Sequence, residues 1–196
     1  NCRVAGAVWD NAEGYGGRGL VLQGTTAGSV QRCEILDNDY AGIDIRGQGN
    51  PTLLENLIHQ NRGNGINVAG GAQPTLRGNL ITENQQSGIA YYDSSGGKAI
   101  DNQVRDNQRS GIESNGKSTP VLAQNTLQLN QAFGVQVTGQ ARPVLVGNTA
   151  RQNGKAGIEI ARPAPKRALA SGTIWIALPE SSATKPCTSS VDRNSR

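Results

Sequence analysis

Apolar and polar residues alternate in a short segment that recurs along the chain. Each copy follows a glycine, as in Ile43-Asp44-Ile45 after Gly42 and Ile66-Asn67-Val68 after Gly65. Alternation with a period of two residues is typical of a half-buried β-strand and not of a helix. The pattern therefore predicts a series of short strands, each with one face toward a core.

The glycines that precede these segments lie 23 residues apart. They are Gly19, Gly42, Gly65, Gly88, Gly111, Gly134 and Gly157. A fixed period of this length indicates one structural unit that is copied and stacked. The residue after each glycine forms the first predicted inward row, Leu20, Ile43, Ile66, Ile89, Ile112, Val135 and Ile158, which is mostly β-branched, as strands prefer.

Two further strands fit into each repeat. The second inward row is Val30, Leu53, Leu76, Ala99, Leu122 and Leu145, and the third is Ile35, Ile58, Ile81, Val104, Leu127 and Ala150. Three short strands in 23 residues make one coil, and a strand this short cannot bury a core alone. The predicted fold is therefore all-β, with about seven complete coils stacked around one apolar column.

Polar residues also recur with the same period. Two asparagine rows are predicted, Asn56, Asn79, Asn102, Asn125 and Asn148 in one and Asn38, Asn61, Asn84, Asn107, Asn130 and Asn153 in the other. Stacked amides can hydrogen-bond along a row, and asparagine tolerates the left-handed backbone of turns. Pro51, Pro74, Pro120 and Pro143 form a row at the start of a strand, where the missing N–H costs least. We interpret these rows as structural.

The pattern N-P-T-L-x-x-N-x-I-x-x-N-x-x-x-G-I-x-V at residues 50–68, repeated loosely at 73–91 and 119–137, resembles the parallel β-helix repeat. Pectate lyases, mannuronan C5-epimerases, NosD-type periplasmic proteins and some F-box proteins share that repeat. The resemblance covers residues 19–160 closely and 1–18 loosely. It implies a single-stranded right-handed parallel β-helix, but the shared residues are structural ones and do not specify a function.

The repeat divides the chain into two parts. We expect residues 1–161 to form the β-helix, with an extended turn near residues 10–18. The period stops after Ile160, so residues 162–196 form a predicted non-repeat segment. Within it, residues 172–178 read as a strand that could cover the last coil, while a loosely ordered terminus is the alternative for 179–196.

Charge and hydropathy exclude some partners. Residues 1–161 contain thirteen Lys and Arg and thirteen Asp and Glu, so the net charge of +4 arises in residues 162–196. A charged tail is weak evidence for nucleic-acid binding, which needs a patch on the folded surface. No apolar run approaches the roughly 20 residues of a membrane span. The chain begins inside what reads as a coil, so we expect it to be part of a longer polypeptide, extracellular or periplasmic.

The sequence offers little metal or cofactor chemistry. The three cysteines, Cys2, Cys33 and Cys187, and the single histidine, His59, show no metal-ligand spacing. No cofactor is expected, and calcium is the one ion left open.

Stacked strands would bring Cys2 and Cys33 within disulfide reach, but the row pattern favours two buried thiols. His59 occupies an outward strand position. Gly14-Tyr15-Gly16-Gly17-Arg18-Gly19 matches G-x-G-x-x-G, yet no helix follows it, so we interpret it as a turn.

The candidate ligand-binding residues lie on the outward face of the strand after each marker glycine. One outward row is Val21, Asp44, Asn67, Ala90, Glu113, Gln136 and Glu159, and the next is Gln23, Arg46, Ala69, Tyr92, Asn115, Thr138 and Ala161. In the polysaccharide-acting proteins that the chain resembles, this face is usually the substrate site. We select Asp44, Arg46, Asn67, Tyr92, Asp93, Glu113, Asn115 and Gln136 as candidate ligand contacts. An ordinary solvated sheet face is the alternative.

Two anomalies lie in the middle coil. Tyr91 and Ser114 replace aliphatic residues in an inward row, and Tyr91-Tyr92-Asp93 stands where other coils have a glycine-rich turn. They indicate either a local functional feature or an adjustment of packing.

Catalytic signatures are weak. Inverting glycosidases hold two carboxyl groups roughly 6.5–9.5 Å apart. Glu113 and Glu159 lie two coils apart, about 9.6 Å by strand spacing, but Gln136 lies between them. The paired aspartates, calcium aspartates or histidine motifs of the related enzymes are not matched. The sequence therefore favours a non-catalytic recognition or scaffold module that binds an extended polysaccharide. A polysaccharide lyase, epimerase or hydrolase is the first alternative, and a protein-binding repeat domain is the second.

Overall fold

The computed structural model describes residues 2–10, 15–161 and 175–177. Its described residues form 23 short strands and no helix. We find in them no helix with the length and apolarity that a membrane crossing requires. The strands form three parallel sheets that run along one axis, and each coil contributes one strand to each sheet. The predicted all-β parallel coil is confirmed, with six complete turns and partial turns at the ends.

The seven-stranded sheet contains the strands that follow the marker glycines. They are Leu20–Gly24, Ile43–Gly47, Ile66–Val68, Ile89–Tyr91, Ile112–Ser114, Phe133–Val137 and Ala156–Ile160.

The six-stranded sheet contains the second strand of each coil. Its strands are Ser29–Gln31, Thr52–Leu54, Thr75–Arg77, Lys98–Ile100, Val121–Ala123 and Val144–Val146.

The eight-stranded sheet completes each turn. Its strands are Arg3–Ala5, Glu34–Leu36, Leu57–His59, Leu80–Thr82, Gln103–Arg105, Thr126–Gln128, Thr149–Arg151 and Trp175–Ala177. The last of these pairs with Thr149–Arg151 and lies inside the predicted strand 172–178. The remainder of the predicted C-terminal segment lies outside the described residues.

Pairing follows the 23-residue period across most of the stack. Ile66 pairs with Ile43 on one side and with Ile89 on the other, and Leu76 pairs with Leu53 and Ala99 in the same way. The predicted inward rows therefore meet in one column, where most side chains have no solvent exposure. This register fixes which side chains face outward from each sheet.

The two asparagine rows form continuous hydrogen-bonded ladders. The Asn79 Oδ1 accepts from the Asn56 backbone N at 3.0 Å and from the Asn56 Nδ2 at 2.9 Å. The Asn79 Nδ2 donates to the Leu53 carbonyl at 3.0 Å and to the Asn102 Oδ1 at 2.9 Å. Asn61 and Asn84 repeat this arrangement in the second ladder. Since buried polar groups need partners, the ladders allow the turns to be buried.

The N-terminal end of the stack differs from the regular coils. Trp9–Asp10 pairs antiparallel with Tyr15–Gly16, so the predicted extended turn is a small two-stranded projection, of which residues 11–14 lie outside the described part. Cys2 and Cys33 form a disulfide, with Cα atoms 4.6 Å apart. The prediction of two buried thiols is therefore wrong. Parallel pairing of Arg3–Ala5 with Glu34–Leu36 places the two sulfurs side by side.

Removing one rung of a ladder should destabilise the protein strongly. In Asn79→Ala, the Asn56 backbone N–H and one hydrogen of the Asn56 amide lose the Asn79 oxygen as acceptor, and the Leu53 carbonyl loses the Asn79 amide as donor. At roughly 1 kcal/mol or more for each unpaired group, we expect a loss of about 3 kcal/mol in the free energy of unfolding, measured by urea denaturation. Asn50 is exposed, so Asn50→Ala is the matched control and should change stability by less than about 0.5 kcal/mol. Equal effects of the two substitutions would contradict a ladder that stabilises the fold.

The marker glycines are required by close packing between coils. A Cβ at Gly88 would lie 2.8 Å from the Gly111 carbonyl oxygen and in contact with the Val104 side chain. We expect Gly88→Ala to lower the free energy of unfolding by about 1–3 kcal/mol, the usual cost of overpacking. At Gly71 the nearest atom to such a Cβ is the Gln48 Cγ at 3.6 Å, so Gly71→Ala should be neutral or slightly stabilising. Chemical denaturation of both variants tests the difference, and a tolerated Gly88→Ala would contradict it.

Candidate ligand-binding site

The outward face of the seven-stranded sheet carries a continuous strip of side chains, which we call the outward strip. It comprises three rows, which hold the residue before each marker glycine and the second and fourth residues after it. Strand pairing aligns the central row, Val21, Asp44, Asn67, Ala90, Glu113, Gln136 and Glu159, as predicted. Because alternate residues face opposite sides of a strand, this row points away from the core.

Four adjacent residues of the central row are nevertheless buried. The exposed fraction is 1% for Asp44, 4% for Asn67, 0% for Ala90 and 7% for Glu113. Side chains of the two flanking rows lie against them, as the contacts below show. The interpretation of the strip as an ordinary solvated sheet face is therefore wrong for these positions.

At the N-terminal end of the strip, Asp44 is held by two arginines. Its Oδ2 accepts hydrogen bonds from the Arg18 Nε and, at 2.9 Å, from the Arg46 Nε. Its Oδ1 is buried without a partner. The Arg18 guanidinium also lies 4.9 Å from the centre of the Tyr40 ring, and the Tyr40 ring lies 6.0 Å from that of Trp9. Asp44 and Arg46 thus bind each other, and the negative charge of Asp44 is compensated within the protein.

The centre of the strip contains a hydrogen-bonded cluster. The Asn64 Nδ2 donates to the Asn67 Oδ1 at 2.8 Å and to the Tyr92 hydroxyl at 3.2 Å. The Ser87 Oγ donates to the Glu113 Oε2 at 3.4 Å. These bonds bring three predicted residues, Asn67, Tyr92 and Glu113, into one region of the strip.

The surroundings of the Tyr92 hydroxyl change its pKa. Burial raises the pKa of the Tyr92 hydroxyl, and the negative charge of Glu113 raises it further. The hydrogen bond from Asn64 and the positive charge of Arg109 act in the opposite direction, with a smaller effect on that pKa. Arg109 itself is exposed at the edge of the cluster.

The C-terminal end of the strip separates the two glutamates. Gln136 pairs in register with Glu113 on one side and Glu159 on the other. Its Nε2 donates to the Glu159 Oε2 at 2.8 Å, and its Oε1 accepts from the Ser110 Oγ at 3.3 Å. Glu113 and Glu159 therefore bind different partners, and Gln136 lies between them in the position that a substrate of a carboxyl pair would need.

Asp93 and Asn115 lie in the turns that follow the strands. The Asp93 Oδ2 accepts from the Gly70 backbone N at 3.0 Å, and the Asn115 Oδ1 accepts from the Gly116 backbone N. Asp93 also has a left-handed backbone, with φ of 55°. Both side chains support the turn backbone at the edge of the strip.

Tyr91 belongs to the core rather than to the strip. Its side chain is fully buried, its hydroxyl has no hydrogen-bond partner, and burial raises its pKa strongly. Its neighbours in the rows are small: Ser114 pairs with it, and Ala99 replaces leucine in the adjoining inward row. The first anomaly of the middle coil is thus a packing adjustment, whereas Tyr92 lies in the strip.

Sequence reasoning missed one row of the strip. Asn64, Ser87 and Ser110 all precede a marker glycine, and each donates a hydrogen bond to the central row. The sequence does show this row, because polar residues recur 23 residues apart at the position directly before the marker glycine. Arg18 occupies the same position two coils before Asn64, with Ala41 between them, and nothing in the sequence paired Arg18 with Asp44.

Other candidate features lie elsewhere. His59 lies in a strand of the eight-stranded sheet, where it pairs with Thr82, and its Nε2 lies 3.3 Å from the Glu34 Oε1. The described residues contain no group of three or more His, Cys, Asp or Glu side chains arranged to hold a metal ion. An apolar cavity of about 440 Å³ opens at the N-terminal end of the core, lined by Cys2, Val4, Leu20, Ser29, Val30, Gln31, Cys33 and Ile35. A polar cavity of about 350 Å³ is lined by Asp37, Asp39, Gln60, Arg62, Glu83, Gln85 and Gln108.

Solved structures with the same fold include enzymes of polysaccharide metabolism. The periplasmic alginate epimerase AlgG matches with a TM-score of 0.69 and 19% identity, over 81% of this chain and 43% of that chain. Pectate lyase Pel9A matches with a TM-score of 0.64 and 13% identity, over 85% and 55%. The A-module of the Azotobacter vinelandii mannuronan C-5 epimerase AlgE6 matches with a TM-score of 0.53 and 17% identity, over 83% and 55%. The chain spans about half the length of these structures, and identities this low establish the fold alone.

The family of the chain is established by its sequence pattern. Among curated proteins, none matches the sequence significantly. The family model described as "Right handed beta helix region" matches residues 18–164, which is most of the chain and includes every marker glycine from Gly19 to Gly157. The protein therefore belongs to the right-handed β-helix family.

Proposed function

We propose that the outward strip binds an extended polysaccharide without cleaving it. The observation that carries this proposal is the unbroken alignment of the central row from Asp44 to Glu159 along the axis of the helix. Five inter-strand steps of about 4.8 Å give a row of roughly 24 Å, long enough for several sugar rings. A row of this length suits an elongated ligand better than a compact one.

The chemistry of the strip suits sugars. Amide, hydroxyl and carboxylate groups can exchange hydrogen bonds with sugar hydroxyls, and Tyr92 offers an amphipathic ring beside them. These groups are already oriented by bonds within the protein, such as those from Asn64 to Asn67 and to Tyr92. Such orientation limits the entropy that is lost when a ligand binds.

The similar structures support a polysaccharide as the ligand class. Their names describe two alginate or mannuronan epimerases and a pectate lyase, and one is named as periplasmic. By the same comparison, we propose an extracellular or periplasmic location for this protein.

Catalysis is the second candidate, and one observation favours it. Burial and the negative charge of Glu113 raise the pKa of Tyr92, and ionisable groups with shifted pKa values are frequent in active sites. Against it, Asp44 is held by two arginines and Glu159 by Gln136, which leaves Glu113 as the remaining carboxylate of the central row. Glycoside hydrolysis generally uses two carboxyl groups, so a single uncommitted carboxylate favours binding over hydrolysis.

Binding at the strip can be tested with two glutamines of similar exposure. Gln136 lies in the central row, and Gln128 lies on the eight-stranded sheet, where it accepts a hydrogen bond from Arg151. On an array of neutral and acidic oligosaccharides, we expect the protein to bind at least one class. Gln136→Ala should weaken that binding several-fold, through the loss of about 1 kcal/mol of hydrogen bonding, while Gln128→Ala should leave it unchanged.

The outcomes separate the candidate functions. Binding that is lost equally in both variants, or that is absent from the whole array, would contradict the proposed site. Chromatography of each polysaccharide after incubation should show an unchanged chain length. Cleavage that disappears in Glu113→Gln would instead establish the enzyme.

A further inference from the structure

The two-stranded projection of Trp9–Asp10 and Tyr15–Gly16 is fixed to the first coil by hydrogen bonds. The Trp9 backbone N donates to the Asp39 Oδ2 at 3.0 Å, and the Asp39 backbone N donates to the Ala7 carbonyl at 2.9 Å. A tryptophan that lies outside the regular repeat is thus held in a defined position on the first coil.

Contacts between side chains connect Trp9 to the outward strip. The Trp9 ring is tilted by 48° against the Tyr40 ring, and the two ring centres are 6.0 Å apart. The Arg18 guanidinium lies 4.9 Å from the centre of the Tyr40 ring, and the Arg18 Nε donates to the Asp44 Oδ2. Trp9 is therefore joined to the central row through Tyr40 and Arg18, at the N-terminal end of the strip.

The Trp9 side chain is not part of the hydrophobic core. It is half-buried, and it belongs neither to the core cluster nor to the lining of the apolar cavity at the same end of the stack. A buried indole N–H usually has a hydrogen-bond partner. Among the described residues, none accepts a hydrogen bond from the Trp9 indole. Packing of the core therefore does not account for a tryptophan at this position.

The chemistry of Trp9 complements that of the strip. The amide, hydroxyl and carboxylate groups of the strip suit the hydroxyls of a sugar, whereas the C–H face of a sugar ring is apolar and packs on an aromatic ring. The indole N–H can in addition donate to a sugar hydroxyl. Because the Trp9 ring is rigid and is supported by Tyr40, little conformational entropy is lost when a ligand stacks on it. Such stacking does not depend on the charge of the ligand.

We infer that Trp9 is a stacking subsite for a hexopyranose ring and that a polysaccharide on the outward strip extends over the two-stranded projection. This inference rests on the proposed function, because it adds a subsite at one end of the same strip. The strip and the subsite together hold a longer segment of the polysaccharide than the central row alone.

Tryptophan fluorescence tests the contact directly. The chain has two tryptophans, and Trp175 lies at the opposite end of the stack, in the strand that pairs with Thr149–Arg151. Trp175→Phe therefore leaves Trp9 as the only tryptophan. The probes are cellohexaose, mannohexaose, hexagalacturonate and hexamannuronate. We expect at least one of them to shift the Trp9 emission to shorter wavelength, because a stacked sugar removes water from the ring.

Two substitutions and a control measure what the ring contributes to affinity. In isothermal titration calorimetry with the hexasaccharide that binds, Trp9→Ala should weaken binding roughly tenfold. Trp9→Phe keeps an aromatic ring, so its affinity should stay within about threefold of that of the unchanged protein. Val8→Ala shortens an exposed side chain next to Trp9 and should have no effect. Thermal unfolding should confirm that all three variants fold.

The possible failures are distinguishable. If a hexasaccharide binds and Gln136→Ala weakens its binding, but Trp9→Ala binds it normally and the Trp9 emission does not change, the subsite is wrong and the proposed function stands. If Val8→Ala weakens binding as much as Trp9→Ala, the indole is not the contact and the subsite is again wrong. If none of the hexasaccharides binds, the proposed function fails and the inference fails with it.

Discussion

Each coil of this protein leaves the N–H and C=O groups of its strands unpaired until the next coil stacks on it at a spacing of 23 residues. The same spacing governs the turns, where each asparagine of the two ladders completes the hydrogen bonds of the coil before it. Because a shifted coil would break the sheets and both ladders together, the register tolerates little variation. The glycines at the start of the strands permit the close approach of neighbouring backbones that this register demands.

This constraint divides the side chains by their position in the period. Positions that face the axis must fit their neighbours above and below, so a large residue requires small ones nearby. Tyr91 illustrates the rule, because the small residues Ser114 and Ala99 replace the larger aliphatic residues that other coils have at these positions. Outward positions are not restricted in this way, and function can therefore vary there without a change of fold.

The periodicity made most of the fold predictable. Strand positions, inward rows and both ladders depend on residues that recur at one interval, so a single sequence displays them. The burial of Asp44 and Glu113 could not be foreseen, since it depends on side chains from other rows that lie over them. Arg18 was missed because it lies at the end of an irregular turn, where the period has not yet begun. The Cys2–Cys33 disulfide was misjudged because two cysteines in a row suit either paired or buried thiols equally well.

The candidate site depends both on the repeating scaffold and on residues that depart from the repeat. Parallel strands hold the central row at even spacing, and the row before the marker glycines orients it through Asn64, Ser87 and Ser110. The Tyr92 hydroxyl accepts a hydrogen bond from Asn64, which belongs to the preceding coil. The scaffold thus supplies a straight row, and departures from the repeat supply its chemistry.

The central claim is that ligand recognition occurs on the outward face of the seven-stranded sheet, while the ladders serve the scaffold. Amide chemical shifts measured by NMR during titration with an oligosaccharide that binds the protein test it most directly. The account predicts that the largest shift changes occur in residues 64–67, 87–92 and 110–113. Shift changes concentrated on the six-stranded or eight-stranded sheet would contradict it.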